Sequence, residues 1–133
     1  MKRDTMDRHG APRPRTIDHN TINHTARRLF EERQLRAEYL PLGDLLGEAA
    51  WDILLFLFFT QAQGKGAKVD SLAIASRMPV SRTLRWLERL EQKEMVFAYR
   101  DEENSDEVYL RLTAKGHLAM SRYLEKIAMR ELR

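Results

Sequence analysis

The sequence predicts a mainly α, α+β chain: a helix-turn-helix unit with a β-hairpin behind it and an amphipathic helix added at each end. Three observations predict it. Ser71–Arg77 and Pro79–Lys93 each have the composition of a short helix, with one residue, Met78, between them. Two helices joined so tightly make a helix-turn-helix. After Lys93 the apolar period changes, and Met95–Arg100 and Val108–Leu112 have strand composition on either side of the polar, turn-forming Asp101–Glu107. Helical periodicity bounds this core on both sides, at residues 19–39 and roughly 114–131. A helix-turn-helix followed by a hairpin is a winged helix-turn-helix. The added N- and C-terminal helices read as dimerisation helices.

Residues 1–17 read as a disordered basic arm. Apolar side chains are few there, and Gly10, Pro12 and Pro14 oppose regular structure. Arg13 and Arg15 are candidates for a DNA minor groove, as in other basic arms; the plainer reading is a solvated tail. Residues 18–47 are expected to hold an N-terminal dimerisation helix and a linker. The helix is capped near Asp18 or Asn20, and Pro41 and Gly43 end it. Ile22, Ala26, Leu29, Phe30 and Ala37 share one face, which needs something to pack on.

Residues 48–113 are expected to be the winged domain. Its first helix, 48–63, is apolar all round from Ile53 to Phe59 and must be covered on every side. Gly64 and Gly66 break the chain after it. Lys68-Val69 reads as a short strand, and Asp70 as the cap of the Ser71–Arg77 helix.

The Pro79–Lys93 helix is the centre of the design. Pro79 stops any earlier helix from running through, and Ser81 is expected to be its N-cap. Leu84, Leu87 and Leu90 are expected to form a buried stripe. Arg82, Arg85 and Arg89 form a second stripe on another face, suited to a polyanion. The plainer reading is a solvated face with Glu88 and Glu91 as partners of the arginines. Trp86, beside the basic stripe, reads as a packing residue against the hairpin more readily than as a base contact. Thr113 is expected to cap the C-terminal helix, residues 114–133, in which Met120, Leu124, Ile127 and Ala128 share a face.

From about Glu48 to Leu124 the chain resembles the MarR family of winged-helix transcription regulators. Three pieces carry the resemblance: Ser71-Leu-Ala, Val80-Ser-Arg-Thr-Leu-Arg-Trp-Leu-Glu-Arg-Leu-Glu, and Leu112-Thr-Ala-Lys-Gly116. The resemblance implies a homodimer with interlocked terminal helices and recognition helices in successive major grooves. It also leaves room for a small-molecule effector in a cleft of the dimer. The sequence departs from the family in two places. Glu94 stands where the family usually has glycine. The wing loop holds Asp101, Glu102, Glu103, Asp106 and Glu107, where the family usually carries arginine.

Other chemistry is thinly represented. At 133 residues the chain is one domain with arms, or one that doubles by dimerising. There is no cysteine, which removes disulfides, thiolate metal sites and cysteine nucleophiles, and fits a cytoplasmic protein. His9, His19, His24 and His117 lack metal-ligand spacing, and the acidic loop lacks the glycine turn of a calcium site. No phosphate loop, serine elbow or paired carboxylate in an apolar setting occurs, so no enzyme and no cofactor are expected. No apolar run approaches a membrane span, and the N-terminus has no apolar secretory segment. The net charge of +3 permits a nucleic-acid partner without arguing for one.

The expected function is therefore a homodimeric, sequence-specific, double-stranded DNA-binding transcription regulator. Ser81, Arg82, Arg85 and Arg89 would face the major groove, because the arginine fork matches guanine O6 and N7. Ser71 and Lys68 would hold backbone phosphates. The alternative is a winged-helix protein-interaction module whose acidic wing takes a basic partner and whose DNA affinity is weak or absent.

Overall fold

The computed structural model describes residues 17–43, 47–103 and 106–131. Five helices and three strands follow in the order α1 (His19–Tyr39), α2 (Glu48–Ala62), β1 (Ala67–Lys68), α3 (Val69–Ser76), α4 (Val80–Gln92), β2 (Val96–Arg100), β3 (Val108–Leu112) and α5 (Ala114–Glu131). The described chain divides into two compact units, one ending at Arg33 and the other running from Gln34 onward.

The first unit holds most of α1. Asp18 starts the helix: its carboxylate accepts the Thr21 N–H at 2.8 Å, and that bond holds its pKa below the usual value. Ile22, Leu29 and Phe30 are more than half exposed.

The second unit is the winged helix-turn-helix. α2 lies at its centre and buries Ile53, Leu54 and Leu57, with Leu55, Phe56 and Phe58 partly buried around them. Phe59 stays half exposed, so the apolar run is incompletely covered. The sheet has the order β1-β3-β2, antiparallel throughout, with Ala67 opposite Leu110 and Ala98 opposite Leu110 on the other side. The Gln61 side-chain oxygen accepts the Leu112 N–H at 3.1 Å and ties α2 to the central strand.

The turn between α3 and α4 uses no glycine. Arg77 takes a left-handed conformation (φ 58°), and the Met78 N–H returns to the Ala73 carbonyl at 3.0 Å. α4 then starts at Val80 with Pro79 as its N-cap, so Ser81 lies inside the first turn and caps nothing. The Pro79 carbonyl instead receives the Arg82 and Thr83 N–H groups and the Thr83 hydroxyl.

The buried stripe of α4 also differs from expectation. It is Thr83, Leu87 and Leu90, while Leu84 is 48% exposed. Spacing explains this. Residues 84, 87 and 90 advance by three each time and drift around a helix of 3.6 residues per turn, whereas 83, 87 and 90 alternate four and three and stay on one face. Thr83 can be buried because its hydroxyl is satisfied by the carbonyl four residues back.

The exit from α4 has the geometry a glycine would provide. Glu94 is left-handed (φ 61°), with the Glu94 N–H on Glu91 O at 2.9 Å and the Met95 N–H on Leu90 O at 2.9 Å. Thr113 caps α5 by accepting the Gly116 N–H at 2.9 Å. Gly116 lies directly against the Met95 carbonyl, leaving no room for a Cβ. Tyr123 of α5 meets Trp51 of α2 edge to face at 5.2 Å, and the Arg36 guanidinium lies 4.7 Å over the same indole.

Candidate nucleic-acid interface

Two arrangements on the second unit bring together residues that the sequence singles out. The first is on α4. Ser81, Arg82, Arg85 and Arg89 are all exposed. Arg82, Arg85 and Arg89 converge on Trp86 and line a shallow cleft of about 300 Å³ with it. Trp86 is partly buried against the core, and the Arg89 guanidinium lies 5.5 Å over its ring. The indole thus shapes one flank of the helix while the arginines project around it. Among the described residues, no ion pair joins these arginines to Glu88 or Glu91.

The second arrangement lies where β1 runs into α3. Lys68 and Ser71 line a cleft of about 270 Å³ together with Lys65 and Tyr109. Lys68 is engaged: its ammonium stands 2.6 Å from the Glu107 carboxylate, which also accepts the Tyr109 hydroxyl at 3.2 Å. The hydrogen bond to Glu107 raises the Lys68 pKa, and the bond from Lys68 lowers that of Glu107. Burial, aided by the bond to Glu107, raises the Tyr109 hydroxyl above its ordinary value.

Sequence reading missed Lys65 and Tyr109, and it missed that Glu107 belongs to the foot of the hairpin rather than to a free loop. The signal lies in the sheet register. Lys68 pairs with Tyr109 across β1 and β3, which brings Glu107 within its reach.

The hairpin itself is stiffened by aromatic rings. Tyr99 and Tyr109 are opposite each other and stack at 5.8 Å, with Phe97 5.9 Å from Tyr99. At its tip Glu102, Glu103 and Asp106 are exposed, and the Asp101 carboxylate accepts the Glu103 N–H at 3.1 Å. Arg13 and Arg15 lie outside the described residues. Among the described residues, no group of three metal-ligating side chains comes together and no helix is long and apolar enough to cross a membrane.

No protein-family model matches the chain, and no curated protein is similar to it. Solved structures are similar. A variant of MepR from Staphylococcus aureus bound to an oligodeoxyribonucleotide is 18% identical, with a TM-score of 0.64, over 88% of this chain and 81% of that one. MepR bound to ethidium bromide is 18% identical, with a TM-score of 0.62, over 87% and 81%. The transcriptional regulator PA4135 is 22% identical, with a TM-score of 0.53, over 86% and 82%. MepR is described as a transcription regulator of the S. aureus multidrug efflux pump MepA. At such identities the likeness is one of fold, and it spans most of each chain. The chain therefore has the winged-helix fold of MarR-type transcription regulators, in agreement with the resemblance its Val80–Glu91 segment carries.

Proposed function

We propose that the protein is a transcription regulator that binds double-stranded DNA sequence-specifically as a homodimer, with α4 in the major groove. The observation that carries this reading is the convergence of Arg82, Arg85 and Arg89 around Trp86 on an exposed helix face, without carboxylate partners among the described residues. Arginine at this density suits both guanine edges and phosphates. Ser81 shares the exposed face, and Ser71 with Lys65 and Lys68 supplies a second polar cluster for backbone phosphates. The DNA-bound MepR variant of similar fold supports the same reading.

The homodimer is supported by exposed apolar residues on the terminal helices: Ile22, Leu29 and Phe30 on α1, Leu118 and Met129 on α5. Ile22, Leu29 and Phe30 share one face of α1, and Leu118 and Met129 share one face of α5, and exposed apolar faces of this kind mark interaction surfaces. The protein on this reading has no catalysis and no cofactor and works in the cytoplasm. An effector belongs to the same reading, and a cleft of about 630 Å³ lined by Tyr39, Leu118 and Arg122 is the candidate pocket.

The second reading, a protein-interaction module, is favoured by one observation, the exposed Glu102, Glu103 and Asp106 at the wing tip. A gel-shift titration with the DNA upstream of the protein's own coding region separates the two. Salt-sensitive, saturable binding supports the regulator. No retarded species with any duplex, at any salt, refutes it. Light scattering on the full chain tests the dimer, and a monodisperse monomer at micromolar concentration counts against it.

A further inference from the structure

The exposed surface of α4 is not uniformly basic. With Thr83, Leu87 and Leu90 turned into the core, Ser81, Arg85 and Glu88 occupy the opposite face. Arg82 and Arg89 lie on one flank of that face, beside Trp86. The other flank is apolar at its N-terminal end. Val80 and Leu84, four residues apart and so stacked along one side, are 44% and 48% exposed. Leu84 lies off the buried face and is left in solvent beside Ser81 and Arg85.

We infer that Leu84, with Val80, reads thymine methyl groups in the major groove, so that the preferred site carries thymine next to the base pair met by Arg85. The inference rests on the regulator reading proposed above and deepens it by naming what one flank of the helix recognises. The chemistry is specific. Of the four bases only thymine presents a methyl group in the major groove, and an aliphatic side chain packs against it while the neighbouring arginine bonds to guanine. Polar side chains at positions 80 and 84 would leave that methyl in water. A helix presenting guanidinium groups on one flank and aliphatic groups on the other distinguishes both the identity and the polarity of neighbouring base pairs. The apolar surface continues from Val80 towards the exposed Ile74 of α3, in a shallow groove that Met78 and Pro79 also line. A protein partner on that groove is the competing occupant. The arginines of the same helix favour DNA, since a cationic face beside the groove matches phosphates on either side of it.

The test uses the full-length protein and needs no known operator. A preferred duplex is selected from a randomised pool, and each thymine in it is replaced in turn by deoxyuridine, which removes the methyl group alone. At one or two positions the replacement should weaken wild-type binding about fourfold, the transfer free energy of one buried methyl group. The Leu84→Ala variant should lose most of the preference for thymine over uracil at that position while keeping its response to salt. Because Leu84 is exposed, the variant is expected to fold, which circular dichroism checks. The wild-type comparison alone can overturn the inference. If uracil is tolerated everywhere in an otherwise specific, salt-sensitive complex, the methyl contact is absent and the apolar flank falls to a protein partner. If Leu84→Ala retains the preference for thymine, Leu84 is not the reader. If no sequence is enriched from the pool, the regulator reading fails, and the inference with it, in a visibly different way.

Discussion

Lys68 and Glu107 hold each other at 2.6 Å, joining the residue ahead of α3 to the foot of the hairpin. This pair fixes where the wing leaves the sheet, and it also occupies a cation that the proposed DNA complex would use. Glu107 is held below its ordinary pKa by Lys68, so its contribution to stability is present above the usual carboxylate value and is lost as pH falls through the lowered one. Lys68 is raised, so its contribution is present below the usual lysine value and is lost as pH rises through the raised one. Denaturant midpoints of wild type and Glu107→Gln should therefore differ slightly at neutral pH and converge only as pH falls through the lowered Glu107 value. An undiminished gap in acid would show that the pair is not its source.

Replacing Arg82 or Arg85 with alanine should cost about 1–3 kcal/mol on a specific duplex. Where the arginine also neutralises a phosphate, the slope of log affinity against log salt should become shallower by about one. Fluorescence anisotropy at several salt concentrations measures both. Unchanged affinity and slope in both variants would remove α4 from the interface.

Glu94 is a non-glycine residue at φ 61°, the left-handed region where a Cβ is strained. Glu94→Gly should stabilise the fold by about 0.5–1 kcal/mol, even though it removes the 3.8 Å ion pair with Lys115. Urea unfolding gives the sign. A loss of stability would mean that the Lys115 ion pair outweighs the backbone strain.

Gly116 poses the opposite problem, because its close neighbour is the Met95 carbonyl rather than a movable side chain. Gly116→Ala should destabilise the fold by about 1–3 kcal/mol through overpacking, with α5 pushed off the β2 entry. A thermal midpoint equal to wild type would contradict that packing.

The acidic wing should repel phosphate. Asp106→Arg with Glu103→Gln should tighten DNA binding overall and leave sequence preference nearly unchanged, since phosphate attraction is blind to sequence. Competition between specific and random duplexes separates the two effects. Weaker binding would give the acidic loop a positive role in the complex. Unchanged DNA binding with loss of a basic protein partner would favour the interaction module.

The sequence by itself determined the order and nearly the limits of the elements. Strand composition placed the hairpin at 95–100 and 108–112, within one residue of β2 and β3, and Thr113 announced the start of α5 by its capping hydroxyl. These signals are local: period, caps and turns act within a few residues, so a linear reading reaches them. The arginine triad was legible for the same reason, since i, i+3, i+7 spacing shares a face in any helix. The tertiary structure decided between two stripes on α4 that share Leu87 and Leu90. Leu84 is more apolar than Thr83, so hydropathy alone favours the leucine stripe, yet 83, 87 and 90 stay on one helix face and that face is the buried one. The choice follows from how α4 docks on its neighbours, with the Thr83 hydroxyl satisfied by Pro79. It likewise decided the fate of Lys68 and Glu107, which lie far apart in the chain and meet because β1 pairs with β3. An ion pair made through a sheet register has no local signature, and the physical reason is that the chain must close a long loop before the two charges can meet.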